Sequence, residues 1–148
     1  MRHRSRIMAV QALFSYLERP TQEPESVLRH VFLSVNDGKQ SKLAMELFTH
    51  AMENYKKLRL VLRAYSANLN YDKIAPINRA VLVVGLAELR FMDTPALVVI
   101  NEYIEVAKAF GEARSASFVN GVLDNFRRNI GKSADKKPAK SEETTSSE

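Results

Sequence analysis

Between Val99 and Phe126 the chain reads VINEYIEVAKAFGEARSASFVNGVLDNF, a helical pattern, a stop and a second helical pattern, so this stretch must fold as a helical hairpin. Thr94 and Pro95 supply a start signal, Thr by accepting a hydrogen bond from a free amide and Pro by suiting the first helical turn. Gly111 marks the stop. At about 100° per residue, Leu97, Val99, Ile100, Tyr103, Ile104, Val106, Ala107 and Phe110 share one half of the first helix, opposite Asn101, Glu105 and Lys108. The second helix, from about Ala113 to Arg128, centres its apolar arc on Val119, Val122, Leu123 and Phe126. Phe118 falls roughly a quarter-turn off that centre, which leaves a large aromatic at the rim.

The rest of the chain reads as helix too. Ile7, Val10, Phe14 and Leu17 repeat at helical spacing before Pro20, and Val27, Leu28, Val31 and Phe32 follow Pro24 up to a turn at Asn36, Asp37 and Gly38. One long pattern, through Ala44, Leu47, Phe48, Ala51, Tyr55, Leu58 and Leu62, predicts a single helix from about Ser41 to Tyr65. A polar link, residues 66–76, leaves room for one helical turn near Tyr71 to Ile74. The helix that follows, Ile77 to Met92, is apolar on nearly every side and belongs at the buried centre. Alternating β patterns are absent. The expectation is an all-α domain of about seven helices in two packed three-helix bundles, with subdomains of about 1–66 and 67–130. Residues 131–148, GKSADKKPAKSEETTSSE, lack any large apolar side chain and are expected to form a disordered tail.

The formal charge of +5 lies wholly on residues 1–130, because Lys132, Lys136, Lys137 and Lys140 balance Asp135, Glu142, Glu143 and Glu148. An anionic partner is expected. The absence of cysteine excludes a disulfide framework, a thiolate metal site and a cysteine nucleophile. The longest apolar run, Ala80 to Ala87, is far shorter than the roughly 20 residues a spanning helix needs. With no hydrophobic leader either, the chain is expected to stay in the cytoplasm.

Arg2, His3, Arg4 and Arg6 cluster at the start of the first helix, where cations oppose the helix dipole by roughly 0.3–1 kcal/mol each. The cluster therefore does not serve the helix, and it suits a phosphate backbone. Arg114 and Phe118 lie one turn apart on the last helix and could grip a single-stranded base between a guanidinium plane and a ring. Glu88 projects among Val81, Val84 and Phe91, where a charge must be paired internally or face a partner. Asn101, Glu102 and Asn120 read as structural polar residues, the first two able to bond loop amides or Arg79.

No catalytic or cofactor apparatus is visible. Glu102 and Glu105 diverge by about 60° around their helix, unlike a carboxylate pair. Gly131, Lys132 and Ser133 mimic a phosphate-loop ending, but Phe126 stands where its first Gly is required. His3, His30 and His50 have no metal-ligand spacing, and no serine sits in a nucleophile elbow.

The segments V-I-N-E, E-x-A-K-x-F-G and F-V-N-G-V-L-D, in this order, resemble the NusB family of bacterial transcription antitermination factors. The resemblance extends upstream through INRAVLVVGLAEL and the amino-terminal RHRSRIMAVQALFSYL, leaving out only the residues after about Gly131. It implies a non-enzymatic factor that binds boxA-type single-stranded RNA of ribosomal RNA leaders together with NusE, a ribosomal small-subunit protein, within an antitermination complex of RNA polymerase. It places Arg2, Arg4, Arg6 and Phe118 at the RNA, with Arg114 as a contact of this chain's own. It assigns Glu88, and Phe14 where relatives often carry Tyr, to the NusE surface. The family's Arg ahead of that Glu is here Val83.

Two rivals remain at this point. A helical interaction module, for instance a homodimer burying the same surface, would bind no RNA. A stand-alone relative of the leading domain of a ribosomal RNA cytosine methyltransferase would need a Gly-rich cofactor site and a nucleophilic Cys that this sequence lacks.

Overall fold

The computed structural model describes residues 2–31, 38–66, 74–111 and 113–134. Within them the elements are α1 (Arg2–Glu18), α2 (Pro24–Val31), α3 (Gly38–Glu53), α4 (Tyr55–Tyr65), α5 (Pro76–Phe91), α6 (Ala96–Phe110) and α7 (Ala113–Ala134). The described residues contain no strand, as the periodicity predicts.

The long pattern of residues 41–65 is two helices, not one. At Asn54 the backbone leaves helical geometry (φ −110°, ψ 16°) and the side-chain Nδ2 donates to the His50 carbonyl at 2.9 Å. The amide thus satisfies the end of α3 while the Asn54 carbonyl accepts from the Leu58 amide to start α4. The expected turn at Asn36 and Asp37, and most of the link with its turn near Tyr71, lie outside the described residues, although Gly38 already opens α3. At the other end α7 continues to Ala134, past the Gly131 where a tail was expected to begin; residues 135–148 lie outside the described residues.

The α5 helix is buried from Ala80 through Glu88 and packs against α1, α3, α4, α6 and α7. One continuous core results, with Leu13, Leu47, Phe48, Leu62, Leu82, Leu86, Tyr103 and Leu123 fully enclosed. α1, α2 and α3 gather on one side of α5, while the antiparallel pair α6 and α7 covers another. Between α5 and that pair the spacing is tight: a methyl group built on Gly85 would lie 3.2 Å from a Leu123 methyl and 3.3 Å from the Tyr103 ring. Glycine is what lets these three helices meet.

Two boundary residues depart from expectation. Pro95 is the N-cap of α6 and makes no side-chain cap, whereas the Thr94 hydroxyl turns away to donate to Glu88 at 2.8 Å. Leu97, expected in the core, is 63% exposed beside Val98 at 45%, because the first turn of α6 overhangs the end of α5.

Candidate nucleic-acid interface

The amino-terminal cluster divides by side chain. Arg2 and Arg4 are exposed, His3 is partly exposed, and Arg6 is 2% exposed. Arg6 shares a helix face with Ala9, Val10 and Leu13, at spacings of three, four and seven residues, and that face is the one α1 turns into the core. There its guanidinium meets Glu88, which is wholly buried: Nε donates to Oε1 at 2.8 Å and Nη2 to Oε2 at 2.6 Å. Tyr103 donates its hydroxyl to Oε1 and Thr94 donates to Oε2, both at 2.8 Å. The carboxylate is thereby saturated by a forked guanidinium and two hydroxyls.

The Arg6 guanidinium also lies 5.9 Å from the centre of the Tyr103 ring and donates through Nη1 to Glu102 at 3.3 Å. His3 Nδ1 stands 3.8 Å from the same Glu102 oxygen. This arrangement corrects two expectations. Arg6 cannot reach an RNA phosphate, because its charge is spent inside the protein. Glu88 cannot face a partner protein, because its carboxylate is sealed by α1, α6 and the α5–α6 turn. Val83, five residues earlier on α5, is likewise fully buried.

Burial alone would push the Glu88 carboxyl up; the Arg6 hydrogen bond and charge, helped by Tyr103 and Thr94, outweigh it and hold the group below its ordinary range. Tyr103 is pushed well above the ordinary phenol by burial and by the Glu88 charge it faces. For Arg6, desolvation is overcome by Glu88, so the guanidinium is held even more firmly charged.

Glu102, expected to bond loop amides or Arg79, accepts from Arg6 and stands 3.8 Å from His3, while Arg79 Nε donates to the Ile74 carbonyl. Asn101 and Asn120 were expected as structural polar residues. Both are exposed and neither makes a side-chain hydrogen bond among the described residues.

On α7, Val119, Val122, Leu123 and Phe126 are buried as the periodicity predicts, and Asn78 Nδ2 pins the first turn to α5 by donating to Ser115 Oγ at 2.9 Å. Phe118 is half-buried, its inner side on the core. One turn before and one turn after it on the same side of α7 stand the exposed residues Arg114 and Gly121, and the space beside Gly121 is open. A cation thus lies one turn from the ring. The start of α1, with Arg2 and Arg4, is held to α6 by the Arg6–Glu102 bond, and α6 in turn packs against α7.

Phe14, also half-buried, lines a shallow groove between α1 and α2 with Ser15, Glu18, Arg19, Gln22 and His30. Among the described residues no His, Asp or Glu cluster could hold a metal, and no helix is long and apolar enough to cross a membrane.

The described residues form a helical domain with exposed cations at the start of α1 and on α7, braced by an internal ion pair. The NusB family model matches residues 3–128, and the chain belongs to that family. It is 34% identical to the transcription antitermination protein NusB of Bacillus licheniformis over 131 residues, covering 87% of this chain and 98% of that protein. The Neisseria meningitidis protein of the same name is 38% identical over 134 residues, covering 87% and 92%. Among solved structures, Thermotoga maritima NusB superposes with a TM-score of 0.78 at 29% identity, covering 86% of this chain and 91% of that one. A complex described as antitermination factors NusB and NusE with double-stranded RNA shares the fold, with a TM-score of 0.77 at 22% identity over 87% of this chain and 98% of that one.

Proposed function

We propose that this protein is a non-catalytic transcription antitermination factor of the cytoplasm, which binds a boxA-type single-stranded RNA of ribosomal RNA leaders jointly with a NusE-type ribosomal protein and helps RNA polymerase read through terminators. The observation that carries the RNA half of this reading is the α7 edge, where the half-buried Phe118 has the exposed Arg114 one turn before it and the uncrowded Gly121 one turn after it. A base stacked there gains roughly 1–3 kcal/mol. Arg2 and Arg4 supply backbone contacts from a helix start that Arg6 fastens to α5 and α6, so little ordering cost accompanies phosphate binding. Family membership supports the antitermination role, and the NusE-type partner docks in this reading at the Phe14 groove instead of at Glu88.

Titrating a labelled boxA-type RNA at two salt concentrations, with and without the NusE-type protein, tests the assignment. Binding strengthens with the partner and weakens steeply with salt, and Phe118→Ala lowers affinity about tenfold, the equivalent of one stacking contact. Affinity indifferent to RNA sequence, to salt and to Phe118→Ala contradicts it.

A second reading, self-association, is favoured by one observation: the neighbouring Leu97 and Val98 at the start of α6 expose apolar surface. Sedimentation across a concentration series distinguishes a stable dimer from a monomer.

A further inference from the structure

The α4 helix presents a face used neither by the Phe118 edge nor by the buried ion pair. Its sequence, YKKLRLVLRAY, has four basic residues and no acidic one. Leu58 and Leu62 point into the core, which leaves Lys56, Lys57, Leu60, Arg63 and Ala64 exposed, with Lys56, Leu60 and Arg63 in line at spacings of four and three. Lys56, Lys57 and Arg59 form no ion pair among the described residues. Arg59 instead lies over the Tyr55 ring at 6.0 Å, its buried Nε without a hydrogen-bond partner.

Of the acids on the packed neighbours, Glu53 stands within a turn of Lys56 and Lys57 and pairs with neither. α3 carries Glu46 and Glu53, Glu88 is sealed by Arg6, and Asp124 of α7 is held by Arg127 and Arg128 at 2.8 and 3.1 Å. α4 runs beside α7, where Tyr65 meets Phe126 edge-on at 5.5 Å. Phe126 lies eight residues beyond Phe118 along α7, about 12 Å away at 1.5 Å per residue.

We infer that the Lys56–Lys57 face of α4 binds the phosphate backbone of nucleic acid, continuing the path of an RNA held at the Phe118 edge; this rests on the RNA reading above and extends its footprint. The chemistry excludes the other anionic surfaces. A membrane would need an apolar face to immerse, and α4 has spent its leucines on the core except Leu60, which is 63% exposed. An acidic protein would need an apolar centre to the contact, and one leucine flanked by lysines supplies none. Exposed cations on an otherwise polar face match a strand whose charges repeat.

The test compares two labelled single-stranded RNAs, a short one confined to the Phe118 edge and a longer one extended at both ends, each titrated over a salt series against wild type and Lys56→Gln/Lys57→Gln. In the expected result the longer RNA binds wild type more tightly and with a steeper salt slope. The double variant reduces that slope by about 0.7 per lost contact, and it leaves the short RNA and the thermal unfolding midpoint unchanged. A longer RNA that gains nothing on wild type, or an unchanged slope in the variant, overturns the α4 assignment while leaving the Phe118 edge intact. Failure of both RNAs to bind overturns both. Co-sedimentation with phosphatidylserine vesicles that the double variant abolishes, with RNA slopes unchanged, overturns it in favour of a lipid surface.

Discussion

Removing one half of the Arg6–Glu88 pair strands the other half in the core, which typically costs about 3–5 kcal/mol. Arg6→Met or Glu88→Leu alone is therefore expected to lower stability by that amount in urea unfolding. The double variant recovers most of the loss, because apolar replacement of both partners is often close to neutral. A strictly additive double variant would show that the two side chains do not act as a pair. The same group sets the response to pH. The folded-state pKa of Glu88 is below its unfolded value, so its contribution is present above about pH 4.3 and lost as pH falls through the lower folded value. Tyr103 is shifted up, so its contribution is present below about pH 10 and lost as pH rises towards the folded value. Unfolding free energy should thus fall at both extremes, and Glu88→Gln should flatten the acid limb. This pair was only half legible in the sequence. Glu88 reads as a charge among apolar residues, which demands a partner, but that partner is 82 residues away and its identity is not a local property. Arg6 was hidden among its neighbours; the signal that distinguishes it from Arg2 and Arg4 is its register with Ala9, Val10 and Leu13, a core face that outranks the grouping of like charges.

Among the elements, α5 shows why apolarity on all sides is a reliable sign of a central helix, since every residue from Ala80 to Glu88 is enclosed. Its glycine makes a quantitative prediction. Gly85→Ala gains up to about 1 kcal/mol of helix propensity and places a methyl 3.2 Å from Leu123, so the two effects nearly cancel. Gly85→Val pushes α6 and α7 outward and should cost about 2–3 kcal/mol in thermal or urea unfolding; a Val variant as stable as wild type would contradict the close approach. The hairpin α6–α7 and the arc of α7 were readable because local periodicity determines them. The division of α3 from α4 was not, because apolar spacing runs on through Asn54, where the backbone alone departs from helical geometry while the side chain joins the amide on the His50 carbonyl. The exposure of Leu97 was equally invisible, since a helix end that overhangs its neighbour keeps its register and loses its cover.

At the scale of the molecule, charge is sorted by depth. Arg6, Glu88 and Tyr103 fasten α1 to α5 and α6 from within, while Arg2, Arg4, Arg114, Lys56 and Lys57 remain outside. Sequence patterning identified the basic surplus and the rim aromatic. It did not identify which cations are available, since that depends on which face of each helix its neighbours leave open. The most direct check of the central claim is amide chemical-shift mapping of the isotope-labelled protein on addition of a boxA-type RNA. The account predicts that the largest changes cluster on the exposed start of α1 at Arg2 and Arg4 and on the α7 edge at Arg114, Phe118 and Asn120. Changes confined to the Phe14 groove or to the Leu97–Val98 surface, with the α7 edge silent, would contradict it.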